Sequence, residues 1–307
     1  MSLAAGIRAT IYLAAALFLG VASSARAQDM EPRSYSNAPI GLNFLVAGYV
    51  YTQGGAAFDS SLPITNPKLT TNSAVLAYAR VLDFWGQSAK LSVIVPYGGL
   101  TGTAEFAGRP QTRDVSGFAD PAFKLSVNLY GAPSLSLKEF ASYEQDLIVG
   151  ASLRVTAPLG QYDDNKAVNI GTNRWSFKPE LGISKTWGPL ILELASGIRF
   201  YTDNNDFFDG KTLEVSPVYS VQAHLIYSFT SGIWLGLDGL YYTGGRGTID
   251  GRKGQSLENA RIGLTLALPI NRHNSVKLYG STNVYTRTGT DADVLGIAWQ
   301  FRWGGGL

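Results

Sequence analysis

From about Leu42 to Trp303, apolar and polar residues alternate with a period of two in one segment after another. In NRWSFKPELGISKTWG, residues 173–188, Trp175, Phe177, Pro179, Leu181 and Ile183 fall on one side, with Lys178 and Glu180 on the other. A period of two predicts a strand, because successive side chains leave a strand on opposite faces. Twelve such segments are predicted, at about 41–51, 70–83, 89–100, 118–130, 147–158, 174–186, 190–202, 214–228, 233–243, 258–269, 275–286 and 293–303. Most exceed the ~5–6 residues usual in soluble sheets and reach the ~9–11 that a tilted strand needs to cross a bilayer. Pro179 has no N–H to give a neighbouring strand, so a bulge or kink is expected there.

The connections carry a second pattern. Long ones are predicted at 52–69, 101–117, 159–173, 203–213, 244–257 and, shorter, 288–292. Tight ones fall at Phe84-Trp85-Gly86-Gln87, Trp187-Gly188-Pro189, Thr230-Ser231-Gly232 and Asn271-Arg272-His273-Asn274. Outer-membrane barrels have long loops outside the cell and short turns in the periplasm. The expected fold is therefore all-β, a closed antiparallel transmembrane barrel of twelve strands with both termini periplasmic. One periplasmic connection, GAPSLSLKEFASYEQD at 131–146, is long for a turn. The spacing of Leu135, Leu137, Phe140 and Tyr143 suggests a short periplasmic helix, with an irregular loop as the alternative.

Alternation on the other strands settles which face is which. On 190–202, Leu190, Leu192, Leu194, Ile198 and Phe200 oppose Glu193, Gly197, Arg199 and Tyr201. On 147–157, Leu147, Val149, Leu153 and Val155 oppose Gly150, Ser152, Arg154 and Thr156. Aromatic residues near strand ends (Trp85, Trp175, Trp187, Tyr201, Tyr241, Tyr285, Trp303) match the girdles that barrels place at membrane interfaces. Lipid outside and a polar lumen inside follow. The lumen is then expected to carry Arg80, Lys124, Arg154, Lys178, Arg199, Arg261, Lys277 and Arg302 against Asp120, Glu180, Glu193 and Asp238, with His224 on the same parity. Such a basic surplus would favour anionic solutes, unless the charges simply pair and fill the interior. The turn at 187–189 sets Arg199 opposite Lys178 or Glu180, and Arg154 is expected to face Ser176 or Lys178. Arg154, Lys178, Glu180, Glu193 and Arg199 would then form one mixed-charge patch.

The N-terminus changes the picture of the mature chain. Arg8, an apolar run from about Ile11 to Ala22, and Ala25-Arg26-Ala27 make a secretory signal peptide, with cleavage expected after Ala27. The run is shorter than the ~20 residues of a spanning helix. The expected organisation is a signal peptide at 1–27, a periplasmic segment at 28–40 and the barrel at 41–307. Losing Arg8 and Arg26 leaves a chain with no net charge, which argues against nucleic acid as a partner. There are no cysteines, so neither disulfides nor thiolate metal sites are available.

Candidate chemistry is sparse. The two histidines are His224, with lumen parity, and His273, in a tight turn, and no G-x-S-x-G motif is present. An outer-membrane hydrolase is the weakest of the alternatives, and no enzyme is expected. Asp203, Asp206 and Asp209 cluster in TDNNDFFDGK but miss the calcium-loop spacing, so a solvated acidic loop is expected, with no metal and no cofactor. The glycine-rich TGGRGTIDG precedes no helix and reads as a loop tip.

Four segments, SGFADPAFKLSVNLYGAP (116–133), residues 137–185, DGLYYTGGRGTIDG (238–251) and VYTRTGTDADVLGIAWQFRWG (284–304), resemble the bacterial outer-membrane transporter family labelled for the MetA pathway of phenol degradation. The resemblance covers nearly all of the mature chain. It implies an outer-membrane barrel of a Gram-negative bacterium with an uptake role, and carries no ligand residues. The terminal strand departs from the usual ending, since Gly304-Gly305-Gly306-Leu307 follow Trp303. The expected function is a channel for small, aromatic or other hydrophobic solutes, anionic ones among them. The alternative is a structural or surface-interaction barrel with a closed lumen. The expected partners are the solute, outer-membrane lipid and lipopolysaccharide, and the barrel-assembly machinery.

Overall fold

The computed structural model describes residues 30–55, 64–106, 108–289 and 291–307. The signal peptide expected at 1–27 lies outside the described residues. In chain order the elements are β1 (Leu42–Gly55), β2 (Ile64–Phe84), β3 (Gln87–Phe106), β4 (Arg109–Phe118), β5 (Ala122–Tyr130), helix α1 (Leu137–Phe140), β6 (Leu147–Thr156), β7 (Ser176–Trp187), β8 (Leu190–Tyr201), β9 (Asn204–Phe207) and β10 (Lys211–Val215). There follow β11 (Val218–Ser228), β12 (Trp234–Gly244), β13 (Gly247–Ile249), β14 (Arg252–Lys253), β15 (Leu257–Pro269), β16 (Asn274–Thr288) and β17 (Asp291–Gly304).

All strands except β4, β9, β10, β13 and β14 form one closed antiparallel barrel of twelve. β17 closes it against β1, in register from Leu42↔Gly304 to Gly55↔Asp291. Closure leaves no unpaired edge, the condition for spanning a bilayer with strands. The exposed face is apolar: Phe177, Leu181 and Ile183 of β7 face out, while Lys178 and Glu180 are buried. Exposed aromatics stand near both strand ends, with Trp85, Trp187 and Trp303 on the turn side and Tyr97, Phe118, Trp175 and Tyr241 on the loop side. Around Pro179 the β7–β8 pairing lapses, yet Phe177↔Phe200 and Glu180↔Gly197 keep one register. No residue is inserted, so of the bulge or kink expected there the bulge is absent, and the ladder breaks locally instead.

Beyond the membrane-spanning part the strands run on. β3 and β4 form a hairpin where a loop was expected, and β14-β13-β10-β9 form a small separate sheet around Phe207, Leu213 and Ile249. Loop 157–175 joins this sheet: Asn204 Nδ2 donates to the Tyr162 hydroxyl at 2.8 Å, which in turn donates to the carbonyl of Asp206 at 3.1 Å. Asp120 anchors the same loop, accepting from the amides of Gly160 and Thr172 at 2.9 and 2.8 Å. Asp203, Asp206 and Asp209 are exposed, and among the described residues no group of three metal-ligating side chains converges.

At the periplasmic end the expected helix is present as the single turn α1. Ser136 and Glu139 cap it reciprocally, the Ser136 hydroxyl accepting from the Glu139 amide and the Glu139 carboxylate accepting from the Ser136 amide. The C-terminal tail tucks beneath the same rim. Gly304, Gly305 and Gly306 take φ of 81°, 61° and 91°, values that L side chains rarely adopt, and Leu307 packs on the apolar cluster around Leu42 and Ala38. The three glycines thus turn the chain inward after the last strand.

Candidate functional site

Two features of the interior differ from the sequence expectation. First, the lumen wall is not uniformly polar. Val50 of β1 faces inward, and Phe44 and Val46 of β1, alternate residues Val75 to Val81 of β2, and Ile94 of β3 also do so and join Ile226 and Trp234 across the barrel. Both faces of β1 and β2 are therefore apolar, and parity cannot be read there from charge. Arg80 is the casualty: it lies on the exposed outer face, because Ala79 and Val81 occupy the inner row.

Second, residues 30–40, expected in the periplasm, run inside the barrel. The Glu31 carboxylate pairs with both Lys124 and Arg154, and the Glu31 amide donates to Gln222 Oε1 at 3.1 Å. The Arg33 amide donates to Glu193 Oε2 at 2.5 Å, while its guanidinium reaches the Ser228 hydroxyl at 2.5 Å and covers the Trp234 ring at 5.0 Å. The Tyr35 hydroxyl donates to Glu180 Oε1 at 3.1 Å, and Lys90 Nζ donates to the carbonyls of Ser34 and Ser36 at 2.8 and 3.0 Å. The correction has a physical cause: the lumen carries a surplus of charge at the level of β3 to β8, and a segment reading Glu-Pro-Arg-Ser-Tyr-Ser satisfies it. Gly150 and Gly182 make room, since a Cβ on either would lie 2.2 or 2.1 Å from the Tyr35 ring.

The segment is held by side chains. Among the described residues the one backbone–backbone hydrogen bond that an amide of 30–39 makes is local, from Ser36 to the carbonyl of Arg33. Strand-like anchoring begins only at Ile40 and Gly41, which donate to Leu135 and Val81.

All ten candidate site residues face the interior. Lys124, Arg154 and Lys178 stand side by side in register on β5, β6 and β7, and the flanking pairs on β7 and β8 put Arg199 beside Lys178. Lys178 Nζ pairs with Glu180 at 2.9 Å, Gln222 Nε2 donates to the same carboxylate at 3.0 Å, and Ser184 donates to Glu193 at 3.0 Å. On the next strands, β11 and β12, His224 Nδ1 and Asp238 Oδ1 are 2.7 Å apart, with the Thr265 hydroxyl donating to Asp238 at 2.6 Å. Arg261 donates to the Ser281 hydroxyl at 3.0 Å, Arg302 to the carbonyl of Arg272 at 2.6 Å, and Lys277 covers the Tyr279 ring at 5.2 Å. These last three stand apart from the β5–β8 patch. Nine of the ten are under 9% exposed, Arg199 being half-buried. A water-filled pore would leave them wet, so the lumen is filled at this level.

Sequence reasoning missed Lys90, Glu31, Arg33 and Tyr35. Lys90 shares the parity of Ser92 and Ile94 and was legible in principle. The other three precede the first strand and carry no periodicity that could place them.

No curated protein is similar enough to count as a match. The chain is similar in structure to the COG4313 outer membrane channel from Pseudomonas putida F1, with a TM-score of 0.76 at 20% identity, covering 89% of this chain and 99% of that one. It is more distantly similar to the beta domain of the Bordetella autotransporter BrkA, with a TM-score of 0.51 at 8% identity over 86% of this chain and 100% of that one. A similar likeness, with a TM-score of 0.50 at 12% identity, links it to the transport unit of the autotransporter AIDA-I from Escherichia coli over 96% of this chain and 97% of that one. The fold is thus that of outer-membrane barrels. The family profile described as "Putative MetA-pathway of phenol degradation" matches residues 45–297, and the chain belongs to that family.

Proposed function

We propose that this barrel is an outer-membrane channel for small aromatic or other hydrophobic solutes, anionic ones among them, and that its own N-terminal segment closes it. The observation that carries the reading is the segment 30–39, which fills the lumen without joining any strand ladder while every barrel strand is independently paired. Its withdrawal breaks no strand ladder. The channel fold and the family support passage of solute. The inward-facing apolar surface of β1 to β3, which adjoins the charged wall of β5 to β8 at the β3–β5 ladder, supports solutes that carry an apolar body.

The second reading, a structural barrel, rests on how many lumen charges already have partners. Planar-bilayer recording separates the two. Refolded full-length protein should show rare or small conductance steps, and protein lacking residues 28–36 should show steady ones. Absence of conductance from both, with the barrel shown to be folded, would favour the structural reading.

A further inference from the structure

The four cations Lys124, Arg154, Lys178 and Arg199 form a row at one height across β5, β6, β7 and β8. Neighbouring strands lie ~4.8 Å apart, so adjacent members repel unless anions separate them. Three of the four have an anion. Glu31 of the N-terminal segment serves Lys124 and Arg154, and Glu180 serves Lys178. Arg199 has none: its Nε and Nη2 are buried and make no hydrogen bond to any described residue. Beside it the chemistry changes. Its register partner on β11 is Val218, which packs with Leu240, Tyr242 and Tyr201.

We infer that this row is a carboxylate-binding site of the lumen, with Arg199 its open position, and that Glu31 is an internal occupant which a solute carboxylate replaces. The ligand class is a small aromatic carboxylate. A guanidinium holds a carboxylate through two parallel N–H donors, and the cluster beginning at Val218, buried here with Met30 of the N-terminal segment packed on it, would give the ring an apolar and aromatic surface once that segment withdraws. The Glu31 carboxylate already shows that Lys124 and Arg154 accept such a group. Occupation by solute would neutralise the row and remove the need for Glu31, coupling entry of ligand to release of the segment. The inference rests on the channel reading for its consequence in transport, but the site can be tested without it.

The probe is benzoate, with benzyl alcohol as its uncharged counterpart. Calorimetric titration of the refolded protein should show benzoate bound about tenfold or more tightly than benzyl alcohol, the worth of one charge-assisted hydrogen bond. Arg199→Gln should remove that difference, and Glu31→Gln, which keeps the side-chain shape, should strengthen benzoate binding. Equal affinity for the two probes, or benzoate binding untouched by Arg199→Gln in folded protein, overturns the site. Recording on the same samples separates the two readings. Benzoate binding lost in Arg199→Gln, with no conductance from any variant, supports the site and sinks the channel. Conductance in Glu31→Gln that benzoate and benzyl alcohol reduce equally does the reverse.

Discussion

His224 and Asp238 face each other in register on β11 and β12, and their Nδ1 and Oδ1 atoms are 2.7 Å apart in the interior. Thr265, on the next strand, gives Asp238 its second hydrogen bond at 2.6 Å. Three strands are thus tied by one carboxylate on the wall that adjoins the cation row through the β8–β11 ladder. Replacing His224 with Leu leaves one oxygen of a buried carboxylate without its donor, and should cost ~1–3 kcal/mol. Urea unfolding in lipid or detergent would measure it. A variant as stable as the wild type would mean that the pair is dispensable.

The outer face gives a second prediction. Leu194 and Leu264 are exposed near the middle of β8 and β15. Arg at either position should destabilise the barrel by ~2–4 kcal/mol, the penalty for a cation at the bilayer midplane. Arg at Ser152, which faces inward beside the N-terminal segment, should instead crowd the lumen and change conductance. Unfolding in liposomes would show an equal tolerance at Leu194 and Leu264 if these strands did not face lipid.

Tyr35 depends on a gap in the wall. Because a Cβ at Gly182 would lie 2.1 Å from the Tyr35 ring, Gly182→Val should expel the ring and loosen the segment that carries it. A cysteine placed at Ser34 should then react with a water-soluble maleimide much faster than in the parent. Unchanged reactivity would show that the segment is anchored without Tyr35.

Orientation is open to labelling in whole cells. Cysteines near Asp163, Asp206 and Arg252, on the long-loop side, should react with an impermeant reagent, and those at Gln87, Ser231 and Asn274 should not. Asp59, another loop position expected outside, lies outside the described residues. Reaction at the turn positions in intact cells would invert the barrel.

The periplasmic cap at α1 should be sensitive to acid. Hydrogen bonds from the Ser136 hydroxyl and amide hold the Glu139 carboxyl below its ordinary range. A depressed folded pKa means support that is present above the ordinary carboxylate value and is lost as pH falls through the depressed one. Protection of the Ser136 amide against hydrogen exchange, corrected for intrinsic rate, should therefore drop in acid. Glu139→Ala should show the low protection at every pH.

Much of this architecture was written locally. Twelve period-two segments determined twelve strands, and the contrast of long and tight connections predicts which end faces the periplasm, because both signals reside in residues near one another in the chain. The same alternation put Arg154, Lys178, Glu180, Glu193 and Arg199 on the inner wall, since each shares its strand with apolar residues that must face lipid. Periodicity failed where both faces of a strand are apolar: on β2 nothing in the pattern says that Ala79 and Val81 turn inward and Arg80 outward. It was also silent on the short strands β9, β10, β13 and β14, which are held by contacts between loops distant in sequence. The path of residues 30–40 was decided by tertiary structure alone. Glu31 meets Lys124 and Arg154 from 93 and 123 positions away, and only closure of the barrel brings into being the charged interior that such a segment can neutralise.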